Sequence, residues 1–490
     1  MPKVVAEQAS PGEESAEPGA PGESKLAARI ARMIEDNVIA AGWPVGLLLG
    51  SENDLIERYG VSRAVFREAI RLVEHHQVAV MRRGRSGGLR VVAPSAEAAV
   101  SAAVVYLEYT ATTVDDLMRV RSLLEPQAAA EAAKHLAETD IQKLRAAAEE
   151  QPPEMVEGQV PAGFANLHDT LAELTGNPAL QLFVEVLTEL TDRYAKIRRS
   201  SKADRIETSR EVNHAHRAIA DAVVAGDAAT AQHYMSVHLR ALHAWFADSD
   251  RRIVTRRPLS ATDRTDKGRK LAEVIAEDIR ADIVRGRWEV GEVIDSENGL
   301  VERYDVSRAA IREAVRLLEH HSIARMRRGP GGGLIVAKPD LDASAEAMAL
   351  YLDYRGTSAG DLLLVRKILE LGCVDLVTAR AGEPQVRDRL RQALVVSPDT
   401  PADEVNRLAD QLHLTVAELT GNPALVFLMR MNTILWARHV RREPEQRAQN
   451  PTEVVVHAHE AIVEAMLAGD RELARHRMTR HLDALSAWWH

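Results

Sequence analysis

Three histidines, His168, His216 and His238, each fall on an apolar helical stripe. A second set, His413, His459 and His481, repeats them 245 or 243 residues later. Imidazole nitrogens ligate Zn²⁺ and similar divalent cations, and three of them leave one tetrahedral position open for water or a carboxylate. The chemistry on offer is therefore one cation per set. A histidine among apolar neighbours such as Ile219, Ala220 and Val223 serves equally well as a hydrogen-bonded core residue, so both readings stand. His214 and His457, two residues before triad members, face elsewhere and read as surface residues. Arg121 and Arg366 could clamp an organic acid beside such a cation. They could also pair with Glu125 and Glu370 one helical turn on.

A second constellation suits DNA. Ser62, Arg63 and Arg67 open one amphipathic segment, and Ser307, Arg308 and Arg312 open its counterpart. Arginine bridges guanine O6 and N7 in the major groove, and a helix N-terminus with serine holds phosphate. Arg83, Gly84 and Arg85 follow at a glycine-rich turn, matched by Arg328 and Gly329, where they would reach the minor groove or backbone. Residues 61–90 carry seven arginines against two glutamates and residues 306–335 six against two, in a chain of net charge −10. A solvated arginine face is the commoner meaning of such a helix. Here the arginines coincide twice with a helix start, a preceding short helix and a basic hairpin, and that coincidence favours DNA.

The elements that position these residues come in two copies. SENDLIERYGVSRAVFREAIRLVEHH at 51–76 returns as SENGLVERYDVSRAAIREAVRLLEHH at 296–321, and AELTGNPAL at 172–180 returns unchanged at 417–425. The period far exceeds a solenoid repeat of about 20–50 residues, so a whole multi-domain unit is duplicated. Residues 1–24, rich in Pro, Gly, Glu and Ser, read as a disordered tail. Three helices and a basic β-hairpin over 25–94 make a winged helix-turn-helix, and a helical bundle fills 95–246. A polar linker at 247–268 leads to a second winged domain at 269–339 and a second bundle at 340–490. The expected fold is mainly α. One cysteine, Cys373, excludes an intramolecular disulfide framework and suits a reducing cytoplasm. No stretch approaches the roughly 20 apolar residues of a membrane span.

The SE-x-x-L helix, the VSR-x-x-x-REA-x-R-x-L helix and the R-x-G wing of each copy resemble the winged helix of the GntR superfamily. RSLLE at 121–125, RKILE at 366–370, the TGNPAL segments, HRAIADAVVAGD and HEAIVEAMLAGD resemble the FadR-like effector (FCD) domain. The resemblance covers nearly all of both copies. It implies a ligand-responsive, DNA-binding transcriptional repressor whose bundles take a small organic-acid or acyl effector. There are departures. Gly50 and Asp295 stand where the family usually has Pro, and Asn53 and Asn298 where it commonly has Arg. Metal-binding FCD relatives add an Asp four residues before the first histidine; here Phe164 and Ala409 hold that place, and Asp410 is displaced by one.

The family's usual homodimer on a short palindrome implies, for a tandem chain, an intramolecular pseudo-dimer on one imperfect palindrome. The alternative is a homodimer of tandem chains with four readers. Differences between the recognition helices (Val65-Phe66 against Ala310-Ile311) and wings (Arg85-Ser86 against Pro330-Gly331) predict an asymmetric operator. Two other functions compete: a metal-dependent hydrolase using the triads, which wants a base that no HExxH motif supplies, and an effector-independent architectural DNA-binding protein.

Overall fold

The computed structural model describes residues 21–82, 84, 87–149, 166–195, 202–247, 271–286, 288–320, 323–327, 329, 331–337, 341–394, 402–442 and 452–487. The chain divides into two units, one ending at Ser95 and one beginning at Ala96.

The first unit is a winged helix. Helix α1 (Pro21–Ala40) packs on α3 (Arg63–His75), with Ile30, Ile34 and Val38 buried. Helix α1 thus starts inside the segment read as tail. Between α1 and α3 lie β1 (Leu48–Gly50) and α2 (Glu52–Tyr59). Ser51 caps α2 in a capping box with Asp54, and Gly60 closes it in the left-handed region at φ 62°. Strands β2 (Ala79–Arg82) and β3 (Gly88–Val91) follow, and the sheet order β1-β3-β2 makes three strands where a two-stranded hairpin was expected. Gly88 is a packing residue, since a Cβ there would lie 2.5 Å from the Gly50 carbonyl oxygen. Its role is close approach of β3 to β1, and it belongs to the strand rather than the wing tip.

The second unit begins with α4 (Ala96–Tyr109), α5 (Val114–His135), α6 (Ile141–Ala148), α7 (Asn166–Leu174), α8 (Pro178–Ala195), α9 (Lys202–Val224) and α10 (Ala228–Ala247). Gly176-Asn177 separate α7 from α8, and Gly226-Asp227 lie between α9 and α10. The break between α4 and α5 was not expected: Ala111 turns the chain at φ 54°, and Thr113 caps α5 with Asp116. A second winged helix follows: α11 (Leu271–Gly286), β4 (Val293–Asp295), α12 (Glu297–Tyr304), α13 (Arg308–His320), β5 (Ala324–Arg327) and β6 (Gly333–Val336), in sheet order β4-β6-β5. The second bundle comprises α14 (Leu341–Tyr354), α15 (Ala359–Thr378), α16 (Pro384–Gln392), α17 (Ala402–Leu419), α18 (Pro423–Arg442), α19 (Thr452–Leu467) and α20 (Arg471–Ala487).

The two bundles share a hydrophobic core, and the first has a further buried cluster of its own around Leu167, Ile219 and Met235. Helices α4, α5 and α8 of the first pack against α14, α15 and α18 of the second, and Leu107, Leu124 and Phe183 join Leu352, Leu369 and Phe427 in a continuous buried cluster. Tyr106 stacks on Phe427 across the copies at 5.3 Å between ring centroids. Gly372 on α15 admits the Leu123 side chain of α5, which any Cβ there would overlap.

The repeated TGNPAL segment explains itself here. Asn177 Oδ1 accepts from Ala179 N and Leu180 N, capping α8, while its Nδ2 donates to the Asp361 carbonyl of the other copy at 3.1 Å. Asn422 does the same for α18, and donates back to the Asp116 carbonyl at 2.9 Å. Both residues are buried, so one amide serves a helix cap and a cross-copy bond without exposure to water. Asn422→Ala should therefore cost about 1–3 kcal/mol, a lost cap plus a stranded carbonyl. The urea midpoint reads this, and Asn177→Ala should match it; a cost below about 0.5 kcal/mol for both would contradict the assignment.

Candidate functional site

The triads converge. His168 comes from α7, His216 from α9 and His238 from α10, and all three are buried with ligand atoms within 4.8 Å of one another. His238 Nε2 lies 3.3 Å from both His216 Nε2 and His168 Nε2. His413, His459 and His481 form the same arrangement on α17, α19 and α20, with 3.1 Å between His459 Nε2 and His481 Nε2. Behind the first ring stands Glu125 of α5: His168 Nδ1 donates to its Oε2 at 2.5 Å. Arg121 Nε holds the other carboxylate oxygen of Glu125. The second copy repeats the relay, with His413 Nδ1 and Arg366 Nε, the latter at 2.6 Å, on Glu370.

This donor set fits a divalent cation. With Nδ1 committed to Glu125, Nε2 is the ring nitrogen of His168 left to face a cation. His238 Nε2 has a single in-plane site, for one proton or one lone pair, yet faces two ring nitrogens, so it cannot hydrogen-bond fully to both. A cation between the rings resolves that conflict. Ligands 2.0–2.1 Å from tetrahedral Zn²⁺ stand roughly 3.3–3.4 Å apart, close to the spacing seen.

Electrostatics point the same way. Burial, then the neighbouring His168 and Arg121, brings His216 down to about 2. Burial followed by His413 brings His481 to about 3, and His238 and His459 also lie well below the usual range. All four rings are thus neutral at neutral pH and could serve as ligands. Burial opposes ionisation of Glu125, but Arg121 and then His168 outweigh it and bring its pKa to about 2. For Glu370 the order is burial opposing, then His413 and Arg366 outweighing it, again to about 2.

A pH dependence follows. A histidine depressed in the folded state stabilises fully above its unfolded pKa near 6.5, and that stability is lost as pH falls toward the folded value. Each of the four contributes at most about 1.4 kcal/mol per pH unit below 6.5. The two glutamates add the same sign below about 4.5. Asp169, raised to about 7 by burial with Glu185 and Glu125 adding to it, and Glu185, raised chiefly by burial, run oppositely but are two groups against four. The melting temperature of metal-free protein should fall steeply from pH 6.5 to 5; a flat profile there would contradict the neutral state of His216, His238, His459 and His481.

Helices α3 and α13 carry Ser62 and Ser307 as N-caps, each hydroxyl accepting from the backbone N–H three residues on at 3.2 Å. Arg63 and Arg67, like Arg308 and Arg312, are exposed. Arg67 Nε donates to Glu52 at 3.0 Å and Arg312 Nε to Glu297 at 2.8 Å, while Arg63 Nη2 donates to Asn53 Oδ1 at 3.3 Å. Gly84 and Gly329 stand at the wing tips at φ 121° and 102°; Arg83, Arg85 and Arg328 lie outside the described residues.

The FCD domain profile matches residues 116–241 and 361–484, just over half of the chain, and the profile of bacterial regulatory proteins of the gntR family matches residues 271–333. The chain is a GntR-family, FCD-domain transcriptional regulator. It is 28% identical over 216 residues to HTH-type transcriptional regulator LutR of Bacillus subtilis, covering 42% of this chain and 97% of LutR. It is 25% identical over 229 residues to HTH-type transcriptional repressor NanR of Citrobacter rodentium, covering 45% and 86%. A solved Streptococcus agalactiae GntR structure is 20% identical, covers 45% of this chain and 99% of its own, and has a TM-score of 0.32. The regulator is thus about two relatives long. The hydrolase alternative finds no support in these comparisons. No helix among the described residues is long and apolar enough to cross a membrane.

Arg121 and Arg366 are each buried and paired with the glutamate one turn on, as the ion-pair alternative has it. Val65, Phe66 and Ile311 are buried and Ala310 is half-buried, so these differences between α3 and α13 sit in the winged cores. Arg85, Ser86 and Pro330, where the wings differ, lie outside the described residues. The exposed residues of α3 (Arg63, Ala64, Arg67, Glu68 and Arg71) reappear unchanged on α13 as Arg308, Ala309, Arg312, Glu313 and Arg316. Glu52 and Glu297, which hold Arg67 and Arg312, were missed; their signal was a Ser-Glu pair present in both copies. Glu125 and Glu370 were seen only as arginine partners, and their bond to the triads depends on how α5 and α15 pack.

Proposed function

We propose that the regulator is a repressor in which one polypeptide supplies both readers of a single imperfect palindrome, with a divalent cation, Zn²⁺ or similar, in each bundle and a small organic-acid or acyl effector tuning operator affinity. The observation that carries this reading is the reciprocal pair Asn177–Asp361 and Asn422–Asp116 over a shared core. A two-fold contact of that kind satisfies within one chain what an isologous dimer satisfies between two. The name of NanR supports repression. Ser62, Arg63 and Arg67 with Ser307, Arg308 and Arg312 are the proposed base and phosphate contacts, with Arg83, Gly84, Arg85, Arg328 and Gly329 on the groove walls.

In each bundle the cation, when bound, would supply a Lewis-acidic open position for an effector carboxylate. The chain's own part is positional: Glu125 and Glu370 fix the tautomer and orientation of His168 and His413, and Arg121 and Arg366 anchor those glutamates. Light scattering with footprinting tests the assembly. A particle of 53.9 kDa protecting one palindrome is expected; a particle of twice that mass protecting two operators would favour the homodimer of tandem chains. Elemental analysis of untagged protein should find up to two ions per chain and at most one in His216→Ala; trace metal, with no thermal shift on adding zinc, would exclude the cation.

A further inference from the structure

The second winged helix does not close its core with its own residues alone. Ile275, Ile279 and Ile283 of α11, Leu300 and Tyr304 of α12 and Ile311 of α13 form a buried cluster that also contains Val105. Val105 belongs to α4, a helix of the first bundle, and is only 4% exposed. One turn further along α4, Glu108 faces Arg280 of α11 at 3.7 Å, with the two side chains 19% and 12% exposed. An apolar anchor and a largely dehydrated opposite-charge pair thus lie on one strip of α4 and meet one face of α11. Position 280 is also where the copies differ in sign. The corresponding residue of the first winged helix is Glu35, buried against His76 Nδ1 at 2.7 Å inside its own domain.

We infer that the outward strip of α4, Val105 and Glu108, is the docking surface that holds the second DNA reader, so that this reader answers to the first effector bundle. The inference rests on the reading of the triads as ligand sites, and gives that reading a direction. The covalent route from the second reader leads into α14 and the second bundle. The packed route leads through α4, the Ala111 turn and α5 to Arg121, Glu125 and His168. Rearrangement around the first triad would shift α5 and α4, and a reader whose core includes Val105 must move with α4 or lose that contact. Coupling of this kind needs an element whose placement both sites bias, and α4 is in contact with both α11 and the bundle core.

Hydrogen exchange of the full chain, measured by mass spectrometry, tests docking and coupling separately. For docking, Glu108→Arg should speed exchange in α11 roughly three- to tenfold, and adding Arg280→Glu should restore it, as expected of directly coupled residues. Unchanged α11 exchange in both Glu108→Arg and Val105→Ser would overturn the docking surface, whatever the triads bind. For coupling, the probe is Zn²⁺ alone, with stoichiometry measured in each sample. Zinc-dependent protection of α11–α13 should vanish in His238→Ala and persist in His481→Ala. The reverse pattern, or no change in α11–α13 with zinc bound at both triads, would overturn the cross-copy direction. Absence of zinc from the wild type would instead sink the cation reading and, with it, the coupling, while the docking arm would still stand or fall on its own.

Discussion

Glu125→Ala is expected to cost about 3–5 kcal/mol of folding stability, because it leaves the Arg121 guanidinium buried without its counter-charge. Both partners are almost wholly inaccessible, so water cannot take over. The same change releases His168 Nδ1 from its acceptor. With the tautomer and ring orientation no longer fixed, affinity for zinc should fall about 10–100-fold. A typical domain is stable by roughly 5–15 kcal/mol, so the single variant stands near unfolding and its metal affinity alone would be ambiguous. The companion Arg121→Met/Glu125→Leu separates the effects. Replacing a buried ion pair by apolar residues of similar volume is often neutral or stabilising, so urea unfolding should return to the parent value or above while zinc affinity stays low. A double variant that binds zinc as tightly as the parent would show that Glu125 has no part in the site; a fully stable Glu125→Ala would show that Arg121 finds another partner.

The parts of this architecture that local chemistry encodes were legible, and those that depend on packing between distant helices were not. Ser51, Ser62 and Ser307 cap the expected helices because a hydroxyl followed by an amphipathic run leaves little alternative. Strand β1 went unseen because three residues, Leu48–Gly50, show no alternation, and its pairing partner β3 lies 40 residues downstream. The break at Ala111 was invisible because alanine gives no turn signal; the left-handed backbone there is imposed by α4 and α5 both packing into the shared core. Each triad histidine could be placed on an apolar stripe, yet stripes do not say which helices meet. The buried positions of α3 were legible from spacing alone: Val65, Phe66, Ala69, Ile70 and Val73 are the inward face of a helix at 3.6 residues per turn. Val65 and Phe66 therefore differ from Ala310 and Ile311 on the packed face of the helix, and an asymmetric operator would have to draw on the wings.

With those residues inside, the two reading faces are chemically alike, and the second large effect follows. Arg63→Ala and Arg308→Ala should each weaken binding to a palindromic operator by about 1–3 kcal/mol. The two losses should be equal and should add in the double variant, as expected of separate sites. In a homodimer one substitution strikes both half-sites at once; in the proposed single-palindrome assembly each would strike one, so the singles would report half of the double. Small departures have a named source: Asn53 lies against Arg63, and Asp54, with its capping box, becomes Gly299 in the second copy. Arg67 and Arg312 serve as internal controls. Each is tied to a glutamate of the preceding helix, and such exposed pairs are worth roughly 0–1 kcal/mol. Glu52→Gln and Glu297→Gln should therefore leave folding unchanged and alter operator affinity by a matched, modest factor. Fluorescence anisotropy at two salt concentrations decides among these outcomes, because a base-reading arginine changes discrimination between sequences while a phosphate contact mainly changes the salt slope. A large loss for Arg63→Ala with none for Arg308→Ala would mean that only the first reader engages, and the single-palindrome assembly would fall with it.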